Sequence, residues 1–220
     1  VGVQARRIKD IFFDFDADYL VMDLQNAGIG VFDSLTEPTL CEDRGITYDP
    51  LGVAGDEFEF VKQDLREELR RDHTRSLNPR EVIFPIMANQ DLNSQIANAF
   101  RISLQKKLWN FLIGEGEAEE FLIKNTKEFT KDINDTNISS FFLNPYINTG
   151  LMIGECINLD MSLVGEKIKL SEKSGCYKDR YSAVSYCNWI ISYFDQELLK
   201  ENSENKLSDW DYISSMTYTW

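Results

Sequence analysis

Histidine is almost missing from this chain: His73 is the only one in 220 residues. It has no serine or cysteine partner at a recognisable spacing, so a nucleophilic triad has no support. Cysteine is scarce as well. Cys41, Cys156, Cys176 and Cys187 stand far apart and form no CxxC pair, which argues against a structural zinc site and for reduced thiols in a cytoplasmic compartment. No apolar run approaches the roughly 18 residues that a membrane helix needs. The opening Val1-Gly2-Val3-Gln4 turns polar at once, unlike a secretory signal, and a first residue other than Met predicts a piece of a longer protein or a trimmed chain. No GxxxxGKS or GxxxxGKT phosphate loop occurs, so nucleotide hydrolysis of that type has no motif to rest on. Positive charge is also short: 23 Lys and Arg against 37 Asp and Glu leave a net charge of −14. Phosphate binding normally shows as a basic surface, which argues against a sequence-independent nucleic-acid coat. A metal-dependent nuclease stays open, because its site must be acidic and bound cations restore affinity for phosphate.

What is present is enough for one good core, since 43% of the residues are hydrophobic. Apolar spacing predicts a helix over Val3 to Phe15, a short strand at Tyr19 to Met22 and a short helix from Gly30 to Leu35, stopped by Glu37-Pro38. Thr39 to Asp56 reads as irregular, with a turn at Asp49-Pro50-Leu51-Gly52, and Glu57 to Asp72 as a charged helix. A second strand is expected at Val82 to Met87, a helix at Asp91 to Lys107, a third strand at Leu108 to Ile113 and a helix at Glu115 to Lys124. Asn125 to Ser140 reads as a loop. Phe142 to Leu163 reads as a long helix, with Gly150 and Gly154 pointing to close packing against a neighbour. A strand at Lys167 to Ser171 and a helix at Lys178 to Lys200 follow, the latter burying Ala183, Tyr186, Ile190, Tyr193 and Phe194. The alternation gives an α/β layered domain over residues 1–200. Residues 201–220 form an acidic tail with Trp210 and Trp220, a candidate docking segment.

Two carboxylates stand out. Asp23 ends the apolar run Leu20-Val21-Met22 and is followed by Gly28 and Gly30; the carboxyl end of a buried strand is where α/β proteins place their chemistry. Asp179 opens the first turn of the last helix, in Lys178-Asp179-Arg180-Tyr181. Two-metal phosphodiester hydrolysis needs carboxylates converging from different elements, and oxygen ligands suit Mg²⁺ or Mn²⁺. Gly28 and Gly30 would let the turn pass close to metal or substrate. The structural alternatives are concrete: Asp179 as a helix cap and Asp23 as a turn-former accepting a local hydrogen bond.

The longer pattern supplies a resemblance. Tyr19-Leu20-Val21-Met22-Asp23 with Gly28 and Gly30, and Lys167 to Glu172 followed by Lys178 to Ala183, resemble acidic motifs of the nuclease domain of the large terminase subunit of tailed bacteriophages. Glu37-Pro38-Thr39, Asp43 to Tyr48, Ala88 to Leu108, Phe111-Leu112-Ile113 and Glu117-Ala118-Glu119 continue it in order, from about Val3 to Glu201. The resemblance implies a ribonuclease-H-like mixed sheet flanked by helices and a nuclease that cuts concatemeric double-stranded viral DNA during packaging. It further implies two Mg²⁺ or Mn²⁺ ions, a portal protein and a small terminase subunit as partners, no membrane, and the cytoplasm of an infected bacterial host. In that family three acids bind the metals; Asp23 and Asp179 match the second and third. The first belongs to an opening strand upstream of Val3 to Phe15, which this chain lacks, so the fold is expected to be truncated at its amino terminus. The family's ATPase motor is absent too.

Four basic residues are candidate DNA contacts: Lys169, Lys173, and Lys178 and Arg180 flanking Asp179. Arg66, Arg70, Arg71, Arg75 and Arg80 form the densest positive stretch; with Glu67, Glu68 and Asp72 interleaved, a solvated helix with internal ion pairs is the better reading. Two rivals remain: another ribonuclease-H-like nuclease such as a resolvase or transposase, and a non-catalytic docking module of the packaging machine.

Overall fold

The computed structural model describes residues 1–55, 62–127, 129 and 136–216, the side chains of 136–138 and 199–216 excepted. The chain is mixed α/β and mostly helical. It divides into two compact units, Val1–Asn89 and Gln90–Trp220.

The first unit is built on a three-stranded parallel sheet in the order β1 (Leu20–Asp23), β5 (Arg80–Ile86), β4 (Leu51–Val53). Its central strand is the most apolar stretch of the unit, and Val82, Ile83, Phe84 and Ile86 are all buried, as a strand flanked on both sides requires. Pro85 sits in this strand without costing a ladder bond. In a parallel ladder alternate residues face alternate neighbours. The Ile86 carbonyl accepts from Leu24 on the β1 side, while the Ile83 carbonyl accepts from Ala54 on the β4 side. Pro85 therefore faces the β4 side at a level that β4, ending at Val53, does not reach.

Two helices cover this sheet: α1 (Gly2–Asp14) contributes Ala5 and Phe12, and α2 (Gly28–Leu35) contributes Val31, Phe32 and Leu35 to the core. Each of the Val, Leu and Phe side chains, fully buried, stabilises the fold by about 1.5–3 kcal/mol. The segment expected to be irregular, 39–56, instead carries a hairpin, β2 (Thr39–Cys41) with β3 (Ile46–Tyr48), and then β4. These strands are three residues each, too short for a period of two to declare itself. Within the expected helix of 57–72, α3 (Gln63–Glu68) passes into a π-helical turn over Leu69–His73; residues 57–61 lie outside the described residues.

The second unit contains α4 (Gln90–Gln105), α5 (Glu115–Asn125), α6 (Thr136–Ile157), the antiparallel hairpin β6 (Leu159–Val164) with β7 (Lys167–Glu172), and α7 (Asp179–Met216). Ile96, Ala97 and Phe100 of α4 form its core with Ala118, Leu122, Met152, Tyr181 and Ile190, and Phe100 meets Tyr181 edge-on at 5.6 Å.

Several expectations need correction here. Phe142 to Leu163 is not one helix: α6 ends at Ile157, where the Asn158 amide closes on the Gly154 and Glu155 carbonyls, and 159–164 form β6. Leu159, Met161 and Leu163 satisfy a strand alternation that the preceding apolar helix masks. Gly150 and Gly154 have nothing within 4 Å of where a Cβ would stand, so neither marks a close helix contact. Leu108 to Ile113 forms no strand, although residues 108–114 run without turn or bend. Among the described side chains of α7 the buried ones are Tyr181, Ser185, Asn188 and Ile190, while Ala183 is exposed and Tyr186, Tyr193 and Phe194 are half-buried. Of the loop expected at 125–140, residues 128 and 130–135 lie outside the described residues, and 136–140 already belong to α6. The backbone of 201–216 continues α7; Trp220 lies outside the described residues.

Candidate metal-binding carboxylates

Asp23 is the last residue of β1, at the carboxyl edge of the parallel sheet, and its side chain is exposed. Its Oδ1 accepts the Gln25 amide at 2.9 Å, an Asx turn that starts the reversal into α2. Asn26 takes the left-handed conformation, φ 52°, which asparagine tolerates better than most residues. The chain then returns so tightly that a Cβ on Gly28 would lie 2.0 Å from the Asp23 carbonyl oxygen. Only glycine fits. Gly30 has no such constraint, its nearest neighbour being Val1 Cγ2 at 4.0 Å. Gln25 Nε2 donates to the Ala88 carbonyl at 2.9 Å, tying this turn to the end of β5.

Asp179 is the first residue of α7 and is exposed. The acid that satisfies the helix start is a different one. Glu155 of α6, buried, accepts the Tyr181 amide at 2.9 Å through Oε2 and the Arg180 guanidinium at 2.9 Å through Oε1. Arg180 Nε donates to Asn148 Oδ1 at 3.1 Å, so this expected DNA contact is held by α6. Lys178 pairs with Glu172 at 3.5 Å and Lys173 with Asp160 at 3.7 Å. Both pairs are largely exposed, where such contacts contribute little and exchange easily. Lys169 is exposed on the polar face of the hairpin, beside Lys167 and Ser171.

Both carboxylates are hard oxygen donors of the kind Mg²⁺ and Mn²⁺ prefer, and an ion that keeps most of its waters needs only one or two of them. Among the described residues no group of three or more His, Cys, Asp or Glu side chains could hold a metal ion. Asp23, Gly28 and Gly30 belong to the first unit; Asp179 and the four basic residues belong to the second.

The structure also assembles acids that spacing does not reveal. Asp10, buried on α1, accepts the Tyr48 hydroxyl at 2.7 Å and the Cys41 thiol at 3.8 Å. That hydrogen bond to Asp10 raises the Tyr48 pKa. Arg44 grips Asp14 through both guanidinium nitrogens at 2.5 and 2.8 Å, and this holds the Asp14 carboxyl below the usual carboxylate range. The cluster clamps the hairpin to α1, inside the segment Asp43 to Tyr48 that carries part of the resemblance. His73 has a carboxylate partner after all: its Nδ1 lies 2.8 Å from Asp33 Oδ1, with Arg75 3.8 Å from Oδ2. The arginine-rich stretch is engaged largely outside itself rather than as a solvated helix: Arg66 is buried and donates to the Gly55 carbonyl at 3.0 Å, Arg70 pairs with Glu81 and Arg80 lies over the Phe12 ring at 5.3 Å, while Arg71 with Asp72 is an internal pair of the expected kind. All four cysteines are free, and among the described residues no helix is long and apolar enough to cross a membrane.

No protein-family model, curated protein or solved structure matches this chain.

Proposed function

We propose that this chain is part of a metal-dependent endonuclease, the nuclease domain of a phage DNA-packaging terminase, which hydrolyses phosphodiester bonds of concatemeric double-stranded DNA in the host cytoplasm. The observation that carries the reading is Asp23: an exposed carboxylate at the carboxyl edge of a parallel sheet, on a turn whose glycine cannot be replaced, within a motif resembling that family's second acid. Asp23 and Asp179 each hold Mg²⁺ or Mn²⁺ through one carboxylate. When bound, such ions supply a water of lowered pKa and counter-charge for the leaving oxygen. Lys169, exposed and without an acid partner among the described residues, contacts the DNA backbone, with Lys173, Lys178 and Arg180 adding positive charge around it. A portal protein and a small terminase subunit are the protein partners this reading brings with it.

The test is nicking of supercoiled plasmid in Mn²⁺. We expect nicking that EDTA abolishes and that Asp23→Ala and Asp179→Ala each reduce by at least about a hundredfold. Nicking that survives both substitutions would sink the site. No nicking at all favours the docking-module reading, and preference for branched over linear duplex favours a resolvase.

A further inference from the structure

A cleft of about 430 Å³ opens between α4 and the β6–β7 hairpin, with every lining residue in the second unit. Its two walls differ in chemistry. On the helix, Ser94, Gln95, Asn98 and Arg101 fall at i, i+1, i+4 and i+7, one stripe of hydrogen-bonding side chains. On the hairpin, Leu163 stands opposite Ile168 and Met161 lies two residues before it, so these three share a face. That wall is apolar, and Met161 and Leu163 are exposed on it. The hairpin is tied to the helix at two points. The Ile168 amide donates to Ser94 Oγ at 2.9 Å, and Lys167 pairs with Asp91, about one turn nearer the start of α4. The hairpin turn, with Glu166, therefore lies toward the amino end of the cleft. Arg101, two turns beyond Ser94, stands toward the other end.

Two opposite charges thus line the cleft without neutralising each other. Arg101 donates to Asn98 Oδ1 at 2.9 Å, which orients the guanidinium and turns the Asn98 NH₂ group outward as a further donor. Among the described residues Arg101 has no carboxylate within ion-pair distance and Glu166 has no cation. The helix rises about 10 Å over the seven residues from Ser94 to Arg101, so the charges sit at the two ends of the apolar wall. We infer that the cleft binds a short peptide with free ends and apolar side chains. Its ammonium group meets Glu166, its carboxylate meets Arg101 and Asn98, and its side chains lie on Met161, Leu163 and Ile168. Gln95, whose amide both donates and accepts, serves the peptide groups between. Three extended residues span about 10 Å; a single amino acid is too short to reach both charges, and a fatty carboxylate leaves Glu166 unused. This inference is independent of the nuclease reading.

The experiment is an amide NMR titration of the full chain with the tripeptide valyl-leucyl-alanine, repeated with its N-acetylated and its C-amidated forms and with octanoate. The expected result is a Kd of about 1 mM or tighter, with shifts confined to amides of 94–101 and 161–168. Each blocked form should bind about fivefold more weakly, the scale of an exposed charge pair. Arg101→Gln should erase the difference between acid and amide while keeping the effect of acetylation, and Glu166→Gln should do the reverse. Both residues are exposed, so folding is not at stake. No shift at about 10 mM peptide, or blocked forms that bind as tightly as the free one, overturns the inference. So does octanoate that binds as tightly as the tripeptide and is indifferent to Glu166→Gln, which would make the ligand an anionic amphiphile.

Discussion

Two glycines, five and seven residues beyond the same aspartate, carry opposite constraints. Gly28 stands where a methyl group would collide with the Asp23 carbonyl at 2.0 Å, and backbone cannot yield as a flexible side-chain end does. Gly28→Ala is expected to destabilise the first unit by about 3 kcal/mol. Gly30 lies within α2 with open space around it, so Gly30→Ala should stabilise by about 0.5–1 kcal/mol, the ordinary helix preference of alanine over glycine. Urea melts of the two variants check both signs. Lys9 offers a pH test at the same scale. Its side chain is fully buried on α1, with Nζ donating to the Glu37 carbonyl at 2.6 Å. Burial pushes its pKa from 10.5 down to about 8, against the opposing pull of Asp49 and Glu37. Between those values the unfolded chain binds the proton that the folded chain has lost, so stability rises with pH across this window. Measured against Lys9→Met, the wild type should gain about 3 kcal/mol between pH 8 and 10.5 and show no further change below pH 8. A flat difference across the window would mean that the amine finds water.

At the scale of elements, what sequence reveals depends on length and on whether one period dominates. The helices α1, α4 and α5 and the strands β1, β5 and β7 are legible because each is bounded by a turn and keeps one period throughout. The hairpin of 39–48 and β4 are not, because three residues of strand carry no period and their reason for pairing lies in distant partners: Asp10 for Tyr48 and Cys41, Pro79 and Arg80 for Gly52 and Leu51. The start of α7 shows the same limit for a site. Asp179 is legible as a first-turn acid, but the acid that accepts the helix amide is Glu155, 26 residues upstream of Tyr181. No spacing rule reaches that far. Asp23 illustrates the opposite case. Its position at a strand end and its Asx turn follow from a few consecutive residues, and the structure reproduces them; the reason for Gly28 is different from the approach to metal or substrate expected of both glycines, since it makes room for the Asp23 carbonyl and Gly30 makes room for nothing.

For the whole molecule, a net charge of −14 works against DNA and for cations. On the nuclease reading, most of the affinity for phosphate then comes through divalent ions, with only the local charge around Lys169 working in the same direction. The nuclease reading makes a sharper demand: Asp23 and Asp179 must each hold divalent ions, which neither a turn nor a helix start requires. Binding of Mn²⁺, followed by calorimetry and by the rise in melting temperature, tests this without reference to turnover. If each acid is a ligand, Asp23→Ala and Asp179→Ala should each remove part of the Mn²⁺-dependent stabilisation, while melting in EDTA separates out the loss of the Asx turn or of the helix-start acid itself. Mn²⁺-dependent stabilisation unchanged in both variants would leave Asp23 as a turn-former and Asp179 as a first-turn helix acid.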